Sequence, residues 1–172
     1  TVRVAVRAPV DAEVRLALSG PAGLAPIVRI IRCDAGREAI CTLQVEDASP
    51  WSPQAPHLYR LCATLHDGDE EIDRYTLEIG LRRVRVDGLT LTLNGEPLQL
   101  RGFGLHEDFP VIGKGHLPAL MVKDFELLRW VGANSFRTSH YAYAEDMLDM
   151  ADRRGVLVIS EMNAPEIVFQ PD

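Results

Sequence analysis

The 172-residue chain has no apolar run near the roughly 20 residues needed to cross a bilayer, so no membrane partner is expected. It shows no secretory-signal pattern, and it opens on Thr1 rather than Met, as a processed or cut chain would. Basic charge is scarce. Lys and Arg total 18 against 25 Asp and Glu, a formal net charge of −7, and no basic face is evident to neutralise phosphates. A nucleic-acid partner is therefore not expected. Cysteine is sparse too: Cys33, Cys41 and Cys62 are odd in number and lack CxxC spacing, which argues against a disulfide framework or a zinc site. They read as structural thiols, and that usage points to a cytoplasmic protein. Catalytic signatures are missing as well. There is no HExxH, no carboxylate run at calcium-loop spacing and no GxSxG around Ser139, and Gly102-Phe103-Gly104 lacks the third glycine of a dinucleotide loop. No metal or cofactor is expected.

What is present divides into two halves of different period. The composition, 47% hydrophobic and 25% charged, suits one domain or two small ones. Up to about residue 100 the apolar period is two. Val2, Val4 and Val6 alternate with Arg3, Ala5 and Arg7. Val14, Leu16 and Leu18 repeat the pattern until Gly20-Pro21 breaks it. Tyr59, Leu61, Ala63 and Leu65 run to an Asp67-Gly68 turn, and Tyr75, Leu77 and Ile79 return. Each such strand offers one apolar face to a facing sheet, and the spacing suggests an immunoglobulin-like β-sandwich over residues 1–88. A hairpin follows, with Leu89, Leu91 and Leu93 leading to Asn94-Gly95, a pair suited to a type I′ turn, and Leu98 and Leu100 leading away.

After Gly102 the period becomes helical. Leu120, Phe125, Leu128 and Val131 lead to a stop at Gly132, and Ala144 to Arg154 forms a second helix ending at Gly155. Ala133 to Thr138 and Val156 to Ile159 read as buried strands, so residues 89–172 alternate strand and helix and give a parallel sheet. The fold class is thus a β-sandwich followed by a partial α/β region. Three parallel strands are too few for a barrel or a doubly wound sheet, and Val156 to Ile159 would lack full cover. The natural chain is expected to continue past Asp172.

Three polar clusters follow the three strands of this region: His106-Glu107-Asp108, Arg137 to Tyr141, and Ser160-Glu161-Met162-Asn163. Ligands meet parallel sheets at the carboxyl ends of the strands. A single loop histidine is more often a surface group than a site group, but His106 and His140 end neighbouring strands and strengthen each other. Arg137 is either a site residue or a buried ion-pair partner of Glu161 or Asp108, and Glu161 is either that partner or a site carboxylate.

The stretches "LNGEPLQLRGFGLHED", "GKG", "LLRWVGANSFRTSHYAYAEDMLDMADRRG" and "VLVISEMN" resemble glycoside hydrolase family 2, most closely its β-glucuronidases and more distantly its β-galactosidases. Upstream, "PWSPQAPHLY" and "IGLRRVRV" resemble that family's immunoglobulin-like domain. The resemblance implies a sandwich followed by the first three units of a (β/α)8 barrel. It implies a retaining exo-glycosidase acting on β-glucuronides or β-galactosides, using two glutamates about 5 Å apart. The family's acid/base follows an asparagine, yet the sequence contains no Asn-Glu pair, and neither Glu107 nor Glu161 matches either catalytic motif. No catalytic residue is therefore assigned, and the 172 residues alone are expected to be inactive. His106 and His140 match positions lining the non-reducing sugar, while Arg137, Glu161 and Asn163 match positions that buttress or line the same pocket. Carbohydrate is the expected partner, and a homo-oligomer the expected state of the full-length parent. Ala142 stands where the family often has Pro, and Ser160 where it usually has Asp. The magnesium ligands of some β-galactosidases have no match after Asn163. The competing reading is a non-catalytic sandwich module with an interaction surface.

Overall fold

A computed structural model describes residues 1–21 and 25–161. Six strands form the first half: β1 (Val2–Arg7), β2 (Ala12–Ser19), β3 (Ile27–Cys33), β4 (Glu38–Leu43), β5 (Tyr59–Asp67) and β6 (Glu70–Ile79). β1 and β4 pair antiparallel, and the other four form an antiparallel sheet in the order β3-β2-β5-β6. The period-two reading holds on β2, where Val14, Leu16 and Leu18 are buried and their neighbours turn outward. Those three join Cys33, Cys41, Leu43, Tyr59 and Leu61 in one core, against which Val2, Val4 and Val6 pack. Leu16, Leu18 and Leu43 are fully buried, and each such leucine stabilises the fold by ~1.5–3 kcal/mol.

Trp51 is also buried, and its backbone N–H donates to the Leu81 carbonyl (2.9 Å). Gly80 makes room for it, since a Cβ there would fall 2.8 Å from the indole Cγ. Among the expected strand faces, β6 departs from the pattern. Tyr75 is 60% exposed and Leu77 40%. Among the described residues the sheet of β1 and β4 has two strands, while β6 is the outer strand of four. What remains is a groove of about 360 Å³ lined by Val4, Val6, Leu61, Leu65, Tyr75 and Leu77 among others.

By compactness, Thr1–Trp51 and His57–Leu81 form one unit, while Ser52–Pro56 and the residues from Arg82 form another. The second opens with a meander of β7 (Val84–Asp87), β8 (Thr90–Leu93) and β9 (Glu96–Pro97). Asn94 and Gly95 both take positive φ (56° and 94°), as a type I′ turn requires. The Asn94 side chain also accepts the Arg83 N–H (3.0 Å), tying the turn to the start of β7.

Then come β10 (Gly102–Leu105), β11 (Asp108–Phe109), β12 (Gly113–Lys114), α1 (Pro118–Trp130), β13 (Ser135–Thr138), α2 (Glu145–Arg154) and β14 (Leu157–Ile159). β10, β13 and β14 form a parallel sheet in that order. Together with the sandwich this gives a β-sandwich followed by a partial α/β region. α1 begins with a proline in its first turn, where the ring costs no hydrogen bond. α2 carries Glu145 and Asp146 in its first turn and Arg153 and Arg154 in its last, matching the helix dipole at both ends. Gly132 and Gly155 stop the two helices with φ of 72° and 70°.

The core of this unit sets Phe125 of α1 edge-on to Phe136 of β13 (5.9 Å between centroids) and adds Met121, Leu128, Tyr143, Met147 and Val156. From Val156, just before β14, to Ile159 at its end the burial fades, and Ile159 is 46% exposed, so the described residues do not fully cover the strand. β10 also begins later than the apolar run from Leu98 suggests. The Asn134 side chain accepts the Arg101 N–H (2.7 Å) and donates to the Gln99 carbonyl (2.8 Å), and these bonds take the place of ladder pairing just before the strand. Among the described residues no helix is long and apolar enough to cross a membrane.

Gly102 lies opposite Ser135, and a Cβ on it would fall 1.8 Å from the Ser135 carbonyl oxygen. Gly102→Ala is therefore expected to separate β10 from β13 and to lower stability by about 1–3 kcal/mol or more. Urea denaturation and amide exchange across Ser135–Thr138 provide the check, and wild-type exchange in the variant would refute it.

Candidate functional site

Parallel pairing sets the site. Leu105 and Thr138 are register partners and the last residues of β10 and β13, so the two chains leave the sheet side by side. The residues that follow include the two histidines, His106 and His140. Their rings meet edge to face, with centroids 5.6 Å apart and planes at 68°. The Ser139–His140 peptide is cis. Gly104 permits the close passage below them, since a Cβ there would sit 2.8 Å from Ser139 Oγ. That hydroxyl is buried and has no hydrogen-bond partner among the described residues.

Glu161, just beyond β14, joins the same cluster. Its backbone N–H donates to Thr138 Oγ1 (2.8 Å), which fixes the residue over the end of β13. One carboxylate oxygen then lies 3.0 Å from Arg137 Nε, and the other 3.4 Å from His140 Nδ1. Of the two partners the sequence offers for Arg137, Glu161 is one that pairs with it. The pair is not buried, however: the side chains are 45% and 30% exposed. One Glu161 carboxylate thus holds an arginine and a histidine together. His106, His140, Arg137 and Glu161 gather at the carboxyl ends of neighbouring strands; Asn163 lies outside the described residues.

Two tyrosines beneath these groups support them, although neither is a candidate site residue by sequence. The Tyr143 phenol is buried, and it donates to the Leu105 carbonyl and, at 3.4 Å, to the Ser139 carbonyl. It thereby bridges the ends of β10 and β13. Burial foremost, and then the neighbouring Tyr141 and Glu107, hold its ionisation well above the usual phenol range, so it serves as a neutral donor. The Tyr141 hydroxyl accepts the Glu107 N–H (3.3 Å), and Lys114 Nζ stands 3.6 Å above the Tyr141 ring. Alternate tyrosines in Ser139-His140-Tyr141-Ala142-Tyr143 were the available signal: residues two apart in extended chain face the same way. Both rings indeed pack on one another, with centroids 5.2 Å apart. The chemical capacity of the cluster is recognition. Imidazoles and a guanidinium offer directional hydrogen bonds to hydroxyl or carboxylate groups. Among the described residues no group of three or more His, Cys, Asp or Glu is arranged to hold a metal ion.

Comparison with known proteins gives this geometry its context. Residues 84–172 match "Glycosyl hydrolases family 2, TIM barrel domain", and residues 9–82 match "Glycosyl hydrolases family 2". A β-glucuronidase of Paenibacillus borealis is 47% identical over 135 residues, covering 78% of this chain and 23% of that protein. One from Mus musculus is 44% identical over 132 residues, covering 74% of this chain and 20% of its own length. Among solved structures, the Bifidobacterium dentium β-glucuronidase complexed with coumarin-3-O-glucuronide aligns with a TM-score of 0.81 at 38% identity. The alignment covers 88% of this chain and 24% of that one. A Ruminococcus gnavus β-glucuronidase in complex with D-glucuronic acid gives 0.74 at 39% identity, covering 87% and 25%. The chain therefore spans about a quarter or less of the length of these relatives.

Beside the cluster, Asp124 lines a small cavity with His106, Glu107, His116 and Tyr143. Burial pushes its carboxyl above the usual aspartate range, with Lys123 pulling the other way. The folded chain then binds a proton more tightly than the unfolded one, so stability falls as pH rises from the ordinary aspartate value to the raised one. Asp124→Asn is expected to stabilise the chain at neutral pH and to match wild type below about pH 3, where the carboxyl is protonated in both states. Urea midpoints measured against pH test this; a variant less stable than wild type at pH 7 would contradict it.

Proposed function

The chain belongs to glycosyl hydrolases family 2, and from that premise we propose that it is a portion of a retaining exo-glycosidase that hydrolyses the O-glycosidic bonds of β-glucuronides. In this reading residues 1–88 are the immunoglobulin-like sandwich module and residues 89–172 open the catalytic barrel. Its contribution is one wall of the subsite for the non-reducing sugar. His106 and His140 hydrogen-bond sugar hydroxyls. Glu161 holds Arg137 and His140 in place (3.0 and 3.4 Å), and Asn163 lines the same pocket. Retaining hydrolysis uses two carboxyl groups about 5 Å apart, one as nucleophile and one as acid and then base. Neither role falls to a residue of this chain, so the wall binds and orients while glutamates elsewhere in the enzyme act.

The observation that carries the reading is the likeness, over 88% of this chain, to a β-glucuronidase solved with a glucuronide. It favours glucuronides over galactosides. The three free thiols fit a cytoplasmic enzyme, and a homo-oligomeric whole protein is part of the same proposal.

The test compares two polypeptides on an aryl β-glucuronide: the product of the uninterrupted reading frame, and the 172 residues alone. Turnover is expected from the first and none from the second. In the longer enzyme, His140→Ala is expected to lower kcat/KM about tenfold or more, the cost of roughly one sugar hydrogen bond. Hydrolysis by the 172 residues, or an inert longer enzyme, would refute the proposal.

A further inference from the structure

The loop between β10 and α1 carries His106, and a second histidine within it has no part in the sugar wall. His116 stands two positions before the first residue of α1, and its ring lies between two carboxylates. Nε2 is 2.6 Å from Asp146 Oδ2, in the first turn of α2, and Nδ1 is 3.9 Å from Glu107 Oε1. The Glu107 carboxylate is the less exposed of the two, with 17% of its side chain accessible against 50% for Asp146. Glu107 is the residue next to His106. Its carbonyl accepts the Gly115 N–H (3.0 Å), so the loop is also closed on itself immediately before His116.

Resting on the functional reading above, we propose that His116 is a positioning residue for the sugar subsite, a latch that holds the loop bearing His106 against α2. Two physical effects produce this. The ring is hydrogen-bonded to Asp146 of α2 (2.6 Å) and its other nitrogen stands 3.9 Å from the Glu107 carboxylate, within ion-pair reach, so it links the acidic groups of two separate elements. It also stands between carboxylates that would otherwise repel, and Asp124 lines the same cavity. Without the ring, the loop loses its tie to α2 and gains repulsion from it. Glu107, and with it His106, is then held to the His140 segment by the Glu107 N–H bond to Tyr141 and by the strand pairing, and so less firmly than with the ring in place. The substrate would have to order that loop on binding, which weakens affinity and leaves the chemical step alone.

The experiment has two arms. In this chain, His116→Ala is expected to speed amide exchange at Glu107 and Gly115 about tenfold, with exchange across β13 unchanged. In the longer enzyme, the same change is expected to raise KM for an aryl glucuronide about tenfold with kcat within roughly twofold. His116→Gln, which keeps a side-chain donor at similar reach, is expected to recover most of both effects. If His116→Ala fails to fold, Asp146→Asn removes the charge from the shorter contact at an exposed position and is expected to move exchange and KM in the same directions. Unchanged exchange at Glu107 and Gly115 would overturn the latch. So would a fall in kcat with KM unchanged. An inert unsubstituted enzyme would refute the glucuronidase reading instead, and the exchange arm would still decide the latch.

Discussion

The pairing of β10 with β13 is the constraint on which the second half of the molecule depends. It brings two strand ends level, and every group in the polar cluster is placed relative to that edge. The pairing is possible only because Gly102 and Gly104 present no side chains to Ser135 and Ser139. Two glycines in a four-residue strand forgo backbone stability and side-chain packing. The cluster above gains from that cost: Tyr143 reaches the carbonyls of Leu105 and Ser139, and the histidine rings meet.

Electrostatics then organises what the sheet has placed. Glu161 faces Arg137 and His140, while His116 faces Glu107 and Asp146. The first arrangement is one anion between two nitrogen bases, and the second is one imidazole between two anions. Neither set is deeply buried, so neither pays the full cost of desolvation, and neither adds much to global stability. Their effect is directional. They fix where donors point, which matters more for recognition than for folding.

Much of this was legible in the sequence where a single local cause decides. Alternation on β2 needed only a pleated strand with one buried face. Asn94-Gly95 and the stops at Gly132 and Gly155 follow from residues that tolerate positive φ. The meeting of His106 and His140 follows from their position at the ends of adjacent parallel strands, while their match to sugar-lining positions comes from the family resemblance. Other features depend on partners distant in sequence. The start of β10 is set by Asn134, more than thirty positions later. The exposure of Tyr75 and Leu77 reflects how many strands face them, which no periodicity records. The β11–β12 hairpin consists of two-residue strands, too short to show a period, and Val111 in its turn takes a positive φ that a β-branched residue would not predict. His116 meets its partner Asp146 only across thirty positions of sequence, through the placement of α2.

Gly155 ends α2, but its back lies against the chain at Pro53, where an added Cβ would fall 2.4 Å from the Pro53 carbonyl oxygen. Pro53 belongs to Ser52–Pro56, a short stretch that interrupts the first unit in sequence yet is compact with the second. The second unit is therefore discontinuous along the polypeptide, and its boundary is not a single point where the chain can be divided. A dissection that begins at Arg82 would remove part of the surface on which α2 terminates. In evolutionary terms, an exchange of modules by recombination at one junction would carry the same defect: five residues of the α/β region travel with the sandwich.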